Sequence, residues 1–189
     1  MAKVKLNPIL EQIRGRVGDL VFRRYEDEVV ISQTPDFSGV TPSEAQLAHR
    51  ERFRRAALYG KMVMADPEAK AVYVAAAERK GKPVFSLTLA DFFNAPSIEE
   101  VDVSAYSGQA GDKIGVEASD DLDVQRVEVA VVDSEGAVLE EGEATRDGLR
   151  WTYTAQADVA SGTTVRIEER AYDRPGGVGE ESSEVTVPS

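Results

Sequence analysis

From Ser97 to Val187 the chain is a succession of short β-prone runs, divided by turn residues at nearly regular intervals, and little in it favours a helix. The spacing predicts strands over 98–105, 112–119, 124–132, 137–144, 149–155, 163–172 and 182–187. Ser107-Gly108, Asp133-Ser134-Glu135-Gly136, Asp147-Gly148, Ser161-Gly162 and Pro175-Gly176-Gly177 supply the turns. Several runs alternate with a period of two: Ile114, Val116 and Ala118; Val127, Val129 and Val131; Trp151 and Tyr153; and, less completely, Val165, Ile167 and Glu169. Side chains of period two fall on one face of a strand, so each run offers an apolar face to a core and a polar face to water. Such a chain buries its faces by stacking one antiparallel sheet on another. Trp151, the sole tryptophan, is expected at the centre of that core.

The first half reads differently. Val17 to Tyr25 and Val29 to Gln33 flank Glu26-Asp27-Glu28, which predicts a hairpin, with Gly15 and Gly18 before it allowing a bulge or a close backbone approach. Gly15-Arg16-Val17-Gly18 also has the spacing of a backbone-clamping Gly-x-x-Gly loop, but that loop joins two helices and a strand follows here. Thr41-Pro42-Ser43-Glu44 has the form of a capping box and predicts a helix to about Ala65. Asp66-Pro67 repeats the signal for a second helix to about Lys80, with Gly81 as its left-handed stop. Thr88 to Asn94 is expected to make one or two turns that bury Phe92 and Phe93. Asn94-Ala95-Pro96-Ser97 is the expected boundary, giving residues 1–96 as a hairpin-plus-helices docking module and 97–189 as the sandwich. The expected class is therefore α+β, a β-hairpin with two to three helices followed by an all-β sandwich of about seven antiparallel strands.

Residues 98–187 resemble the bacterial immunoglobulin-like modules appended to many surface and virion proteins. Four segments carry the resemblance: Gly111-Asp112-Lys113-Ile114 before a strand, Asp120-Asp121 leading into 124–132, Gly148-Leu149-Arg150-Trp151-Thr152-Tyr153, and Ala171-Tyr172-Asp173-Arg174-Pro175-Gly176. It implies an immunoglobulin-like sandwich serving as a spacer or adhesive contact, without chemistry of its own. More loosely, Gly15, Gly18, Gln46, Arg50, Arg52 and Arg54 are similar to the pattern of phage and mobile-element proteins that open with a hairpin and an arginine-bearing helix.

Charge divides the chain in the same way. Residues 1–95 carry 15 Lys+Arg against 12 Asp+Glu, a net of +3, whereas residues 96–189 carry 7 against 22, a net of −15. So acidic a sandwich repels nucleic acid and anionic membranes, and any such binding would fall to the first half. Cysteine is absent, which excludes disulfides and thiolate metal sites and fits a reducing compartment. No run reaches the roughly 20 apolar residues of a membrane span. The first ten residues lack an apolar signal core, so the expectation is a chain made in the cytoplasm without a signal peptide and carried into a virion or other assembly.

The motifs of chemistry are missing. His49 is the only histidine, so a zinc site or a Cys-His pair has no ligands to draw on, and there is no nucleophile elbow, phosphate loop or dinucleotide fingerprint. The expectation is a protein that is not an enzyme, with no small-molecule substrate. The sharpest local feature is His49-Arg50-Glu51-Arg52-Phe53-Arg54-Arg55. On a helix Arg50 and Arg54 share a face, with Arg52 and Arg55 beside it. With Arg23 and Arg24 of the hairpin these are the candidate partner-binding residues. Asp120, Asp121 and Asp123 in one loop, and Asp173 in another, fall at the same end of a sandwich and are the candidate ligands for a weakly bound Ca²⁺; no other cofactor is expected. The functional expectation is a structural or interaction protein. Its first half docks on protein partners or on further copies within a phage particle, injection device or filament, and the acidic sandwich projects as a spacer or decoration. The alternative is a nucleic-acid-associated regulator that binds through the arginine-rich helix over 42–65.

Overall fold

The structure, a computed structural model, describes residues 2–4, 14–25, 28–36 and 38–188. It is an α+β protein with three helices and three antiparallel sheets, and it divides into two compact units, Met1–Leu47 and Ala48–Ser189.

The first unit is built on β1 (Ala2–Val4), β2 (Gly15–Val17), β3 (Leu20–Tyr25) and β4 (Glu28–Gln33), in the order β1-β4-β3-β2. The hairpin of the sequence is the β3–β4 pair, in register from Leu20 opposite Gln33 to Tyr25 opposite Glu28. The expected long strand from Val17 is broken. Gly18 has φ +59°, and Gly18-Asp19 makes a two-residue turn that brings Val17 opposite Leu20. A Gly-Asp dipeptide supplies the positive φ that a tight hairpin needs, so the glycine marks a turn rather than a bulge.

Helix α1 (Glu44–Ala65) starts two residues later than its sequence signal suggests. Ser43 N–H donates to Gln46 Oε1 (3.1 Å) and Gln46 N–H donates to Ser43 Oγ (3.3 Å), so the reciprocal box is Ser43–Gln46 and not Thr41–Glu44. In the second unit α2 (Pro67–Lys80) follows Asp66, whose carboxylate accepts from the Glu68 and Ala69 amides, and stops at Gly81 with φ 62°. Helix α3 (Val84–Phe93) begins well before Thr88, because Pro83 supplies a helix-compatible φ of −60° and its carbonyl accepts from Leu87 N–H. Val63, Tyr73, Ala76, Ala77 and Leu87 form the helical core, closed by Tyr59, Ala69, Val84 and Leu122. Gly60 of α1 lies against Thr88 Oγ1 and the Phe85 ring, too close for any side chain.

The remaining strands are β5 (Ser97–Asp102), β6 (Lys113–Ser119), β7 (Arg126–Val132), β8 (Val138–Glu143), β9 (Thr145–Asp147), β10 (Arg150–Thr154), β11 (Thr164–Tyr172) and β12 (Val178–Thr186). They form two sheets, β5-β6-β10-β9 and β12-β11-β7-β8. The alternation read in the sequence is the burial pattern observed: Ile114, Val116, Trp151 and Tyr153 of one sheet share a core with Val127, Val129, Val131, Val165, Ile167 and Ala171 of the other. Trp151 is in that core, 4% exposed. Eight strands form where about seven are expected, because β9 separates from β8 at Ala144 and crosses to the other sheet. The last strand begins at Val178, since Asp173 Oδ1 accepts from the amides of Gly176 (2.7 Å) and Gly177 (2.5 Å) and closes the turn early. Among the described residues no helix is long and apolar enough to cross a membrane.

Leu122, in the β6–β7 connection, packs into the helical core, so helices and sandwich meet along that loop. Gly179 also lies directly on the Pro96 carbonyl at the entry to β5.

Candidate functional site

The arginine run of α1 falls into two groups. Arg52 turns inward: Nη2–H donates to the Phe93 carbonyl (2.9 Å) and the guanidinium lies 4.9 Å from the Phe93 ring centroid. Arg54 grips Glu51 through two bonds (2.9 and 2.6 Å). That pairing raises the Arg54 pKa and lowers that of Glu51. Arg50 and Arg55 are exposed and make no hydrogen bond or ion pair among the described residues. His49 lies 5.9 Å from Phe93, ring to ring, as part of the same aromatic packing.

At 100° per residue the buried positions Ala56, Gly60 and Val63 define the inner face of α1. Arg50, Arg54, Arg55, Leu58 and Met62 occupy the opposite arc, where Leu58 is 57% and Met62 63% exposed. The outer face thus joins cations to uncovered apolar surface. Beside it a cleft of about 510 Å³ is lined by Arg52, Arg55, Phe92 and Pro175. Arg23 and Arg24 sit on β3 in the other compact unit and, as neighbours on a strand, project to opposite faces of its sheet.

The four candidate calcium ligands are not gathered into one site. Asp121 is engaged by the helices: Oδ2 accepts from Asn94 Nδ2–H (2.5 Å), its carbonyl accepts from Lys80 Nζ (2.5 Å), and Lys80 lies 3.7 Å from Oδ1. Asp123 pairs with Arg146 (2.8 Å), whose guanidinium lies 5.3 Å from the Trp151 ring centroid. Asp120 and Asp173 each orient one oxygen through backbone amides, those of Leu122 and Asp123 for the former and of Gly176 and Gly177 for the latter. Among the described residues no group of three or more His, Asp and Glu side chains is arranged to hold a metal ion.

Beside Asp120 and Asp173 stands an acid that the sequence reading passed over. Asp91 of α3 is 1% exposed; Tyr73 of α2 donates to its Oδ2, and Tyr59 of α1 is bonded to Tyr73 (2.7 Å). Burial pushes Asp91 up to about 7, the Tyr73 bond pulls it down in part, and the charges of Asp120 and Asp173 push it further up. Burial raises both tyrosines. The signal for Asp91 lay in Thr88-Leu89-Ala90-Asp91-Phe92-Phe93, where a lone carboxylate interrupts an apolar run. A second buried acid, Glu169, sits fully enclosed on the inner face of β11, and burial raises it to about 8.

No family model matches the sequence, and no curated protein matches it. Among solved structures, CopC from Methylosinus trichosporium OB3b is similar over 49% of this chain and 93% of its own, at 19% identity and TM-score 0.38. A Bifidobacterium dentium β-glucuronidase complexed with coumarin-3-O-glucuronide is similar over 49% of this chain and 17% of its own, at 14% identity and TM-score 0.32. A conjugative transposon lipoprotein from Bacteroides eggerthii is similar over 47% of this chain and 92% of its own, at 14% identity and TM-score 0.25.

Proposed function

We propose that this chain is a non-enzymatic structural protein that assembles through its first half, with the outer face of α1 as the contact and the acidic sandwich as a projecting spacer in a particle such as a virion, injection device or filament. One observation carries the reading: on α1 Arg50 and Arg55, which make no hydrogen bond or ion pair among the described residues, flank Leu58 and Met62, both more than half exposed. Uncovered apolar surface ringed by cations suits a partly apolar, acidic protein surface. The occupant we assign is the sandwich of a second copy, because residues 96–189 carry the net charge of −15 that complements this face. We also infer that the sandwich is immunoglobulin-like. Its strand order, β5-β6-β10-β9 against β12-β11-β7-β8, supports this as the ABED and GFC arrangement with one added strand.

The nucleic-acid alternative has less support, since of the four arginines in the α1 run Arg52 and Arg54 are engaged within the protein, leaving Arg50 and Arg55 without a hydrogen bond or ion pair among the described residues. Sedimentation at low and high salt tests the proposal. Association should appear at low salt, weaken as salt screens the charges, and be abolished by Arg50→Glu with Arg55→Glu. A chain that is monomeric at every salt concentration, or that is retained on DNA through these arginines, would overturn it.

A further inference from the structure

Side chains of one parity share the outer face of the β12-β11-β7-β8 sheet, and their charges are matched across the strands as far as β7. Arg170 stands opposite both Glu180 and Glu128, and Arg166 opposite Glu184. Arg170 pairs with Glu180 (3.2 Å) and Glu168 (3.1 Å), and Arg166 with Glu168 (2.8 Å). Arg126 lies 3.4 Å from Glu128, which also accepts from the Tyr172 hydroxyl (2.7 Å). On the edge strand β8 the matching stops. Glu143 stands opposite Glu128, acid against acid, and Glu141 opposite Ala130. Both glutamates are exposed and make no hydrogen bond or ion pair among the described residues. Like charges directly opposite each other weaken a strand pair, and a cation set between them relieves it. The space for one is there: over the short Ala130 side chain a hollow of about 270 Å³ opens, walled by Glu128, Glu141, Glu143 and Glu168. At the other end of β8, Val138 and Leu139 are 55% and 42% exposed.

We propose that this face of β8 is the seat for α1 of a second copy, with an arginine of Arg50 and Arg55 entering the hollow and Leu58 and Met62 lying over Val138 and Leu139. The inference rests on the assembly reading above and names its partner surface. Each surface carries charge at one end and uncovered apolar side chains at the other, with opposite signs. Their lengths agree. Arg50 to Met62 spans about 18 Å along a helix, and Glu143 to Val138 about 16 Å along a strand. The match fixes the direction: α1 runs antiparallel to β8, with its amino-terminal end over Glu143. It also covers an open sheet edge, which a protein otherwise has to guard. Because two different surfaces meet, the contact is head to tail and propagates from copy to copy.

Charge exchange between copies of the full chain tests the seat, read by sedimentation velocity at low salt. Glu141→Lys with Glu143→Lys should be monomeric alone, as should Arg50→Glu with Arg55→Glu. Mixed in equal amounts, the two should associate again, since each acidic α1 then meets a basic β8 and each basic α1 an acidic one. Glu100→Lys with Asp147→Lys makes the same change in net charge on the outer face of the other sheet and should associate like the parent. Should the lysine pair unfold the edge, seen as a loss of far-ultraviolet circular dichroism, Glu141→Gln with Glu143→Gln serves and should weaken association. If the arginine pair is needed but the β8 variants associate like the parent, α1 docks elsewhere: this inference falls and the assembly reading stands. Failure of the folded variants to recover on mixing, or an equal loss in the Glu100 and Asp147 variant, would overturn it too. A parent chain that is monomeric at every salt concentration removes the assembly reading itself, and the seat with it.

Discussion

Glu169 is an ionisable group placed where an aliphatic one would be expected, between Ile167 and Ala171 on the inner face of β11. It is 0% exposed, and neither carboxyl oxygen has a hydrogen-bond partner among the described residues. Burial, aided by the charges of Glu181 and Glu168, lifts it from 4.5 to about 8, so the folded protein holds a proton at neutral pH that the unfolded chain has released. A group that binds its proton only when folded favours unfolding as pH rises, at about 1.4 kcal/mol per unit between the two pKa values. The full span corresponds to roughly 4 kcal/mol lost between about pH 4.5 and about pH 8, a large share of the 5–15 kcal/mol typical of a domain. Glu169→Met keeps the unbranched shape and removes the titration. The variant should match or exceed the parent at acid pH and exceed it by on the order of 3 kcal/mol at about pH 8. The assay is denaturant unfolding followed by Trp151 fluorescence, since the sole tryptophan reports on the same sandwich. Above about pH 7 the contribution of Asp91 has levelled, and the slope that remains belongs to Glu169. A parent chain as stable at about pH 8 as at about pH 5, or a methionine variant with an undiminished slope, would refute the reasoning.

Three further outcomes follow from packing and capping. Trp151→Ala empties the centre of the sandwich and should cost about 3–5 kcal/mol, read by far-ultraviolet circular dichroism against denaturant because the variant lacks the fluorophore. Asp66→Ala removes the acceptor of two α2 amides and should cost on the order of 1 kcal/mol, read as a lower denaturation midpoint. Gly60→Val drives a side chain into Thr88 and Phe85 and should destabilise by about 1–3 kcal/mol, with the loss seen first in hydrogen exchange of α1 and α3.

The sandwich was legible because its signal is local. A period-two pattern in 113–119, 126–132 and 150–154 is set by each strand's own residues, and a strand with one apolar face has few ways to bury it. The misplacements share one cause, a choice among neighbouring residues of equal propensity that backbone geometry decides. Thr41 and Ser43 are both good caps, and Ser43 prevails because Gln46 reaches back to its amide. Gly18 is equally compatible with a bulge and a turn, and the pairing of Val17 with Leu20 makes it a turn. Ala144 interrupts β8 and β9 because its amide bonds to the Val127 carbonyl while the chain passes from one sheet to the other.

The candidate sites were less legible because a side chain's role depends on what the rest of the chain brings to it. The arginines of α1 are alike in sequence, yet Phe93, far along the chain, claims Arg52, and Glu51 claims Arg54. The aspartates of the β6–β7 loop look like one acidic group, yet Arg146, Lys80 and Asn94 neutralise or bond two of them and leave Asp120 to backbone amides. A carboxylate held by a cation and one buried without a cation respond to pH in opposite directions. The first stabilises the fold as it ionises and the second only while protonated. Composition counts both as negative charge. The three-dimensional partition among Asp91, Asp121 and Asp123 therefore decides which acids are paired with cations near the surface and which is held among buried groups.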